Sequence, residues 1–264
     1  MRIPVYGLKG EEKGDVTSRM FSNAVRKDLI IKAFLAEASR QRQPYGVDPL
    51  AGKRTSAKYI GRRHRRNSMM NREMARTKRI VGMGYLNFTA RFVPQATKGR
   101  KAHPPKAGKV WKLKINKKER MRAMLSAIAA SSQKDMVESR GHIIREVKHM
   151  PIVVNDELEN LKKARDVVKT LASLGLQEEM ERLSEKKVRA GIGKMRGRRY
   201  RKRKGPLIVV KDDKGIIAAA GNIPGVDIVT SRGLSVSMLA PGASPGRLCI
   251  WTKSAIEDLE GLAR

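Results

Sequence analysis

Gly242-Ala243-Ser244-Pro245-Gly246 has the Gly-x-Ser-x-Gly spacing of a hydrolase nucleophile elbow. That elbow needs a strand before it, a helix after it and a backbone N–H just beyond the serine to hold an oxyanion. Here Pro245 has no N–H to give, the apolar run Leu248 to Trp251 reads as a strand, and no histidine follows Ser244, the last being His149. The segment reads as a surface turn. Gly46 to Lys53 resembles a phosphate-binding loop, but its spacing is one residue too long and Arg54 stands where Ser or Thr would hold magnesium. Gly191, Gly193 and Gly197 miss the dinucleotide fingerprint by one residue and follow a charged helical segment where a strand is required. His64, His103, His142 and His149 show no metal-ligand spacing and read as phosphate contacts or exposed side chains. Cys249, the one cysteine, excludes an internal disulfide and a Cys-rich zinc site, and reads as a small buried hydrophobe. No catalytic residue, metal ligand or cofactor is expected.

What remains is charge. Lys and Arg number 58 against 25 acidic residues in 264, a net charge of +33. Such a surplus needs a polyanion beside it. With no 18-residue apolar stretch, signal-like region or lipidation signal, nucleic acid is expected rather than membrane. The surplus is concentrated: Gln41 to Ile115 holds 20 Lys/Arg and 2 acids, Asp48 and Glu73, while Ala190 to Gly205 holds 8 Lys/Arg and no acid. The first stretch lacks the periodicity of a packed element, and glycines and prolines recur through it. It also carries Tyr45, Tyr59, Tyr85, Phe88, Phe92 and Trp111, side chains able to stack on bases. It reads as a long extended loop that orders on its partner. Glycines let a basic segment approach phosphates closely, and arginine forks bridge them bidentately.

The elements that must hold these segments read as an α/β domain made of residues 1–40 and 116–264, with 41–115 inserted. Arg19 to Arg40 has helical spacing, and Asn116 with Glu119 forms a capping-box pattern before Met121, Met124, Leu125 and Ile128. Ile152 to Val154 reads as a strand. Asp156 and Glu159 read as a capping pair for one helix carrying Leu158, Leu161, Ala164, Val168 and Leu171. Leu207 to Val210, Val226 to Val229 and Leu248 to Trp251 read as further strands, the last leading into a helix capped by Ser254 with Glu257. Short apolar strands alternating with helices predict a mostly parallel sheet flanked by helices.

Ala51-Gly52-Lys53-Arg54-Thr55-Ser56-Ala57 and the block Val93 to Lys106 (VPQATKGRKAHPPK) resemble the loop of the universal large-subunit ribosomal protein four family. Further matches are Asn116 to Ala130, Ser139 to His142, Gly193 to Tyr200 and Leu239 to Leu248. The archaeal branch resembles it best, since the chain ends at Arg264 without the long C-terminal extension of the eukaryotic branch. The resemblance implies a structural constituent of the large subunit in cytoplasmic ribosomes. Its globular domain would lie at the outer side, and its loop would run inward through 23S-type ribosomal RNA to help line the nascent-peptide exit tunnel. Its implied partners are that RNA, neighbouring large-subunit ribosomal proteins and the nascent polypeptide. The RNA-binding residues it implies are Arg42, Lys53, Arg54, Lys58, Arg62, Arg63, Arg65, Arg66, Arg91, Lys98, Arg100, Lys101, His103 and Lys106 in the loop. Arg196, Arg198, Arg199 and Arg201 join them from the second basic stretch. The tip would lie around Arg62 to Arg79, with Arg62, Arg66, Met70, Arg72 and Arg76 at the tunnel wall. The sequence departs there from the family's usual Gly-x-Gly-Arg-Gly, reading Gly61-Arg62-Arg63-His64-Arg65-Arg66.

Two other readings stay open on the residues alone. An RNA-modifying enzyme with a basic insertion would need a glycine-rich turn after its first strand and an acid ending the next, and Pro151 to Arg264 offers neither. A DNA-compacting protein would bind duplex DNA as well as folded RNA. Limited proteolysis of the free protein is expected to cut first within 41–115, with the same bonds resisting once RNA is bound. Equal protection in both states would remove the coupling of loop order to its partner.

Overall fold

The chain opens on a hairpin that sequence periodicity does not reveal. In the computed structural model, which describes residues 1–82 and 84–262, β1 (Arg2–Tyr6) pairs antiparallel with β2 (Glu12–Thr17). β2 is exposed along most of its length, so its residues EKGDVT carry no apolar alternation to read. A single 3-10 turn, Met20–Ser22, precedes α1 (Lys27–Arg40), and α2 (Lys117–Ser132) and α3 (Lys134–Ser139) follow the insertion. Next come β3 (Ile152–Val154), α4 (Ala164–Ser173), α5 (Gln177–Ser184), β4 (Lys187–Val188), β5 (Tyr200–Arg201) and β6 (Leu207–Val210). The chain closes with α6 (Ile216–Ala220), β7 (Asp227–Thr230), α7 (Val236–Leu239), β8 (Cys249–Thr252) and α8 (Lys253–Leu262).

Six strands form one sheet in the order β2-β1-β3-β8-β6-β7, every pair parallel except β1 with β2. The predicted mostly parallel sheet is therefore the fold. β3, β6 and β8 are buried on both faces, and the period of two sends alternate residues to opposite cores. Val153, Leu207, Val209, Cys249 and Trp251 face one core with Ile30 of α1, Ala127 of α2, Val236 of α7 and Ile256 of α8. Ile152, Val154, Ile208, Val210 and Ile250 face the other with Val137, Val167, Leu171 and Ile216. Cys249 is buried as expected, and burial pushes its thiol up to about 12.

Four local expectations are corrected. The helix expected from Arg19 begins at Lys27. Asn23 and Arg26 are extended, and Phe21 is spent on the core, its ring edge-on to Trp251 at 5.7 Å. Asn116 is the N-cap of α2 but makes no side-chain cap bond, and Glu119 reaches Lys32 of α1 at 2.8 Å instead. The helix expected from Asp156 is two elements, a 3-10 turn (Asp156–Asn160) and α4, with Lys163 extended between them and Val167 rather than Val168 buried. The freed acids are used across the fold. Asp156 Oδ1 accepts the Ser254 N–H at 2.9 Å, and the Glu159 carboxylate accepts from Lys211 N–H, Thr252 Oγ1 and Ser254 Oγ. Ser254 is thus engaged elsewhere, and it is Thr252 Oγ1 that accepts the Ala255 N–H in the first turn of α8.

His142, expected at the surface or on a phosphate, is buried. Its Nδ1 lies 2.7 Å from Glu179 Oε1, Ile143 N–H donates to Oε2, and Arg182 forks onto both oxygens at 2.6 and 2.7 Å. Burial pushes the Glu179 carboxyl up, but the Arg182 and His142 hydrogen bonds and the Ile143 N–H bring it below its ordinary value. Burial likewise dominates at His142 and lowers its pKa, opposed by Glu179 and aided by Arg182 and Arg140. Both native values lie below the unfolded ones, so both groups contribute stability at neutral pH that is lost on acidification. The loss begins as pH falls below about 6.5 for the histidine and about 4.3 for the glutamate. Urea unfolding followed against pH is expected to show both stages, with His142→Gln lacking the first. Glu179→Ala is expected to cost about 3 kcal/mol at neutral pH, since it strips the shared acceptor from His142, Ile143 N–H and Arg182. A His142→Gln curve matching wild type between those values would refute the assignment.

Candidate nucleic-acid interface

The chain divides into two compact units, Met1–Gln41 with Lys112–Arg264, and Arg42–Trp111. The second unit holds no helix and no strand longer than an isolated bridge among its described residues. It is nonetheless crossed by short main-chain links. Lys58 and Arg79 exchange N–H···O bonds at 2.9 and 3.1 Å, Arg79 bridges to Ala90, and Phe88 N–H donates to Ile80 O while Ile80 N–H donates to Thr89 O. Met69 N–H reaches Ile60 O, and the Met69 side chain is buried beside buried Ser68 and Ala57. At the two ends of the unit, Arg42 and Lys109 lie 4.4 and 4.6 Å from the Trp111 ring, against which Tyr45 tilts at 5.1 Å. Arg72 lies over Phe88 at 4.6 Å and Lys78 over Phe92 at 4.3 Å.

These contacts revise the role of the aromatic residues. With so few acids present, ring faces are the nearest negative surface for the loop's own cations, so Trp111, Phe88 and Phe92 are covered from within the unit. Tyr85, 94% exposed, is the most open of the described loop aromatics for stacking on a partner, and Tyr59 and Tyr45 are also exposed. Asp48 is the other internal counter-charge. It pairs with Arg54, and the Leu50 N–H and that guanidinium hold its carboxyl below the usual carboxylate range.

Of the candidate loop residues, Lys53, Lys58, Arg62, Arg63, Arg65, Arg66, Lys98, Lys101, His103 and Lys106 are exposed and form no side-chain ion pair among the described residues. Arg42 and Arg54 are exposed but engaged as described, and Arg91 and Arg100 are half-buried, Arg91 Nη1 donating to Thr97 O at 2.7 Å. Of the candidate tip residues, Arg62, Arg66, Arg72 and Arg76 are exposed and Met70 is half-buried. Arg79 was missed by sequence reasoning and is an internal brace, donating through Nη1 to Phe88 O and Nη2 to Ala75 O. No sequence signal distinguishes it, because an arginine aimed at a carbonyl is spelled like one aimed at a phosphate.

The second basic stretch forms an antiparallel ribbon in the first unit, with Lys187 opposite Arg201 and Val188 opposite Tyr200. Arg189 N–H donates to Arg199 O and its Nε to Arg198 O, while Gly191 and Gly197 take positive φ, each 77°, at the turns. The expected glycine-rich approach is thus a hairpin tip, carrying Arg196, Arg198, Arg199 and Arg201 exposed beside Ile192 and Met195. Its root is pinned to the buried cluster: Arg182 donates to Lys204 O, and Arg203 donates to Arg182 O and pairs with Glu185 at 2.8 Å. At the same root Arg247, 1% exposed, donates to Gly205 O, Met238 O and Asp227, and Lys204 also pairs with Asp227. Burial raises the Asp227 carboxyl, but those two cations more than offset it and leave it below its ordinary value.

The segment Gly242 to Gly246 is a turn leading to β8, and Arg140 donates to Ser244 O within it and to Pro241 O just before it. Among the described residues no group of three or more His, Cys, Asp or Glu could hold a metal ion, and no helix is long and apolar enough to cross a membrane.

Comparison with known proteins agrees with this geometry. A relative from Methanococcus aeolicus, described as large ribosomal subunit protein uL4, is 45% identical over 261 residues, covering 98% of both chains. Proteins of the same description from Nanoarchaeum equitans and Methanopyrus kandleri are each 47% identical, covering 98% of this chain and 97% and 98% of their own. The model of the ribosomal protein L4/L1 family matches residues 15–262. With that match over nearly the whole chain and relatives 45–47% identical across 98% of it, the chain belongs to the ribosomal protein L4/L1 family.

Proposed function

We propose that this protein is a structural constituent of the large ribosomal subunit in cytoplasmic ribosomes, where its Arg42–Trp111 loop and its β4–β5 hairpin bind 23S-type ribosomal RNA. One observation carries the reading: apart from Arg54, which pairs with Asp48, the exposed cations of both segments lack acidic partners among the described residues, while the backbone beneath them is held by bonds that leave the charge in place. Such a surface is built for a polyanion, and irregular folded RNA offers phosphates at the varied angles a loop can follow. Neighbouring large-subunit proteins share the assembly. The loop residues around 62–79 help line the peptide exit tunnel and meet the nascent polypeptide, with Arg62, Arg66, Met70, Arg72 and Arg76 at the wall.

The protein performs no catalysis of its own in this reading. In open parallel sheets, ligands bind in the crevice beyond the carboxyl ends of the strands. Glu159, 2% exposed, reaches Lys211 just past β6 and Thr252 at the end of β8, and Asp156 just past β3 takes the Ser254 N–H, so these two acids at the strand ends are committed to the fold.

Replacing Arg196, Arg198, Arg199 and Arg201 together with Gln is expected to weaken binding to large-subunit RNA and flatten its dependence on salt. The slope of log K against log salt should fall by about 0.7 to 0.9 for each phosphate that the variant no longer neutralises. An unchanged slope would make the hairpin a solvated surface only. Photoreactive groups at Arg66 or Met70 in assembled ribosomes are expected to crosslink to nascent chains. Exposed positions Val168 and Ile217 in the globular unit should stay silent, and the reverse pattern would overturn the proposed orientation.

A further inference from the structure

Within the loop unit, three stretches distant in sequence border an open, solvent-facing cavity of about 350 Å³ whose lining includes Arg54, Thr55, Ser56, Ile80, Arg91 and Lys98. Its walls are fixed by backbone contacts that only glycine permits. Gly52, at φ +72°, lies so close to Arg100 that a Cβ would stand 2.6 Å from the Arg100 Cα, and a Cβ on Gly99 would stand 2.0 Å from Val93 O. These two glycines bring the 52–56 turn against the 93–99 turn. Lys98 itself adopts φ +57°, a strained conformation for a residue with a side chain, of the kind that concentrates at functional sites.

The cavity's cations are incompletely used. Arg54 is engaged by Asp48 through Nη1, and Arg91 gives Nη1 to carbonyls, so among the described residues Arg91 Nη2 and the Lys98 ammonium have no partner. Counting Asp48, the four charged groups sum to +2. Beside them stand two hydroxyls: Thr55 Oγ1 accepts the Ala57 N–H at 3.2 Å but keeps its proton to donate, and the exposed Ser56 hydroxyl has no protein partner among the described residues. Ile80 adds an apolar wall. Anion donors, sugar-reading hydroxyls and one apolar face in a space larger than a phosphate are the complement of a nucleotide.

We infer that this cavity is a site for one unpaired RNA nucleotide, its phosphate taken by Arg91 and Lys98 and its ribose 2′-hydroxyl read by Ser56 and Thr55. The inference rests on the proposed RNA-binding role of the loop and assigns a pocket within it. It makes this part of the loop a reader of ribose, whereas the rest supplies phosphate contacts that carry no such discrimination.

The test is nucleotide-analogue interference on transcribed large-subunit RNA bound by the full-length protein, using phosphorothioate and 2′-deoxy substitutions. Lys98→Gln and Ser56→Ala are the chosen variants because neither side chain supports the fold, and each is expected to weaken binding by about tenfold. Lys101→Gln with Lys106→Gln serves as the control for charge removed elsewhere in the loop. Wild type and control should show one unpaired nucleotide sensitive to both substitutions, and that sensitivity should vanish in Lys98→Gln while the other interference positions remain. Interference patterns identical in all variants would overturn the pocket assignment while leaving loop binding intact. Phosphorothioate sensitivity without a 2′-deoxy effect would reduce the cavity to an anion site and overturn ribose reading. Binding unaffected by any variant, the control included, would instead count against the loop's RNA-binding role itself.

Discussion

Arginine bonded to main-chain carbonyl oxygen is the interaction on which the rest of this structure depends. With 58 cations and 25 acids, most basic side chains cannot find a carboxylate. The protein therefore braces itself with neutral acceptors: Arg79 on Phe88 O and Ala75 O, Arg91 on Thr97 O, Arg140 on Pro241 O, Arg189 on Arg198 O, Arg203 on Arg182 O and Arg247 on Gly205 O and Met238 O. A hydrogen bond to a charged donor contributes about 1.5–3 kcal/mol, enough to fix a turn. Unlike an ion pair it leaves the charge uncancelled, as at Arg79, Arg91 and Arg189, whereas Arg203 and Arg247 add a carboxylate partner. Shape is thereby specified without weakening the field that attracts a polyanion.

The scarce acids are placed where neutralisation has another use. Glu179 and Asp227 each gather two basic side chains at the root of the β4–β5 ribbon, and Glu159 ties three segments together beyond the strand ends. Each is shielded from solvent wholly or in part, and each accepts from cations or main-chain donors brought together by the fold. The exposed span Gly193 to Arg201 beyond that root holds no acid at all. The ribbon's base is thus a charge-paired, hydrogen-bonded foundation, and the tip is bare positive charge.

The sheet was legible because β3, β6 and β8 are apolar throughout and bounded by turn residues, which is the pattern a doubly buried strand must have. β1 and β2 were not, since an edge hairpin with one exposed strand needs no apolar pattern. Helix caps misled for a different reason. Asn116, Glu119, Asp156 and Ser254 have cap-forming side chains, but Asn116 makes no cap bond and the other three found another use once the chain folded, and local spacing cannot register a partner about 90 residues away. His142 was misread because its neighbours Arg140 and Arg145 are basic in sequence, whereas the group that matters to it, Glu179, arrives on α5. The basic segments themselves were plain from composition, but which cations are braces and which are free was not, because both duties use the same residue.

That shared spelling explains why the loop carries cations at inner positions as well as at exposed ones. Each internal brace such as Arg79 shields turns that have no helix or strand of their own, and each stacked cation such as Arg72 or Lys78 covers a ring that would otherwise be exposed. Replacing a brace by a neutral residue would remove backbone order, and replacing it by an acid pair would remove charge. Arginine, with five donors in a rigid fork and a charge that persists at any accessible pH, does both at once. A segment that must hold its shape without a core and still present net positive charge is therefore driven toward arginine at its inner positions as well as its outer ones, and the composition of Arg42–Trp111 is the outcome of those two demands together.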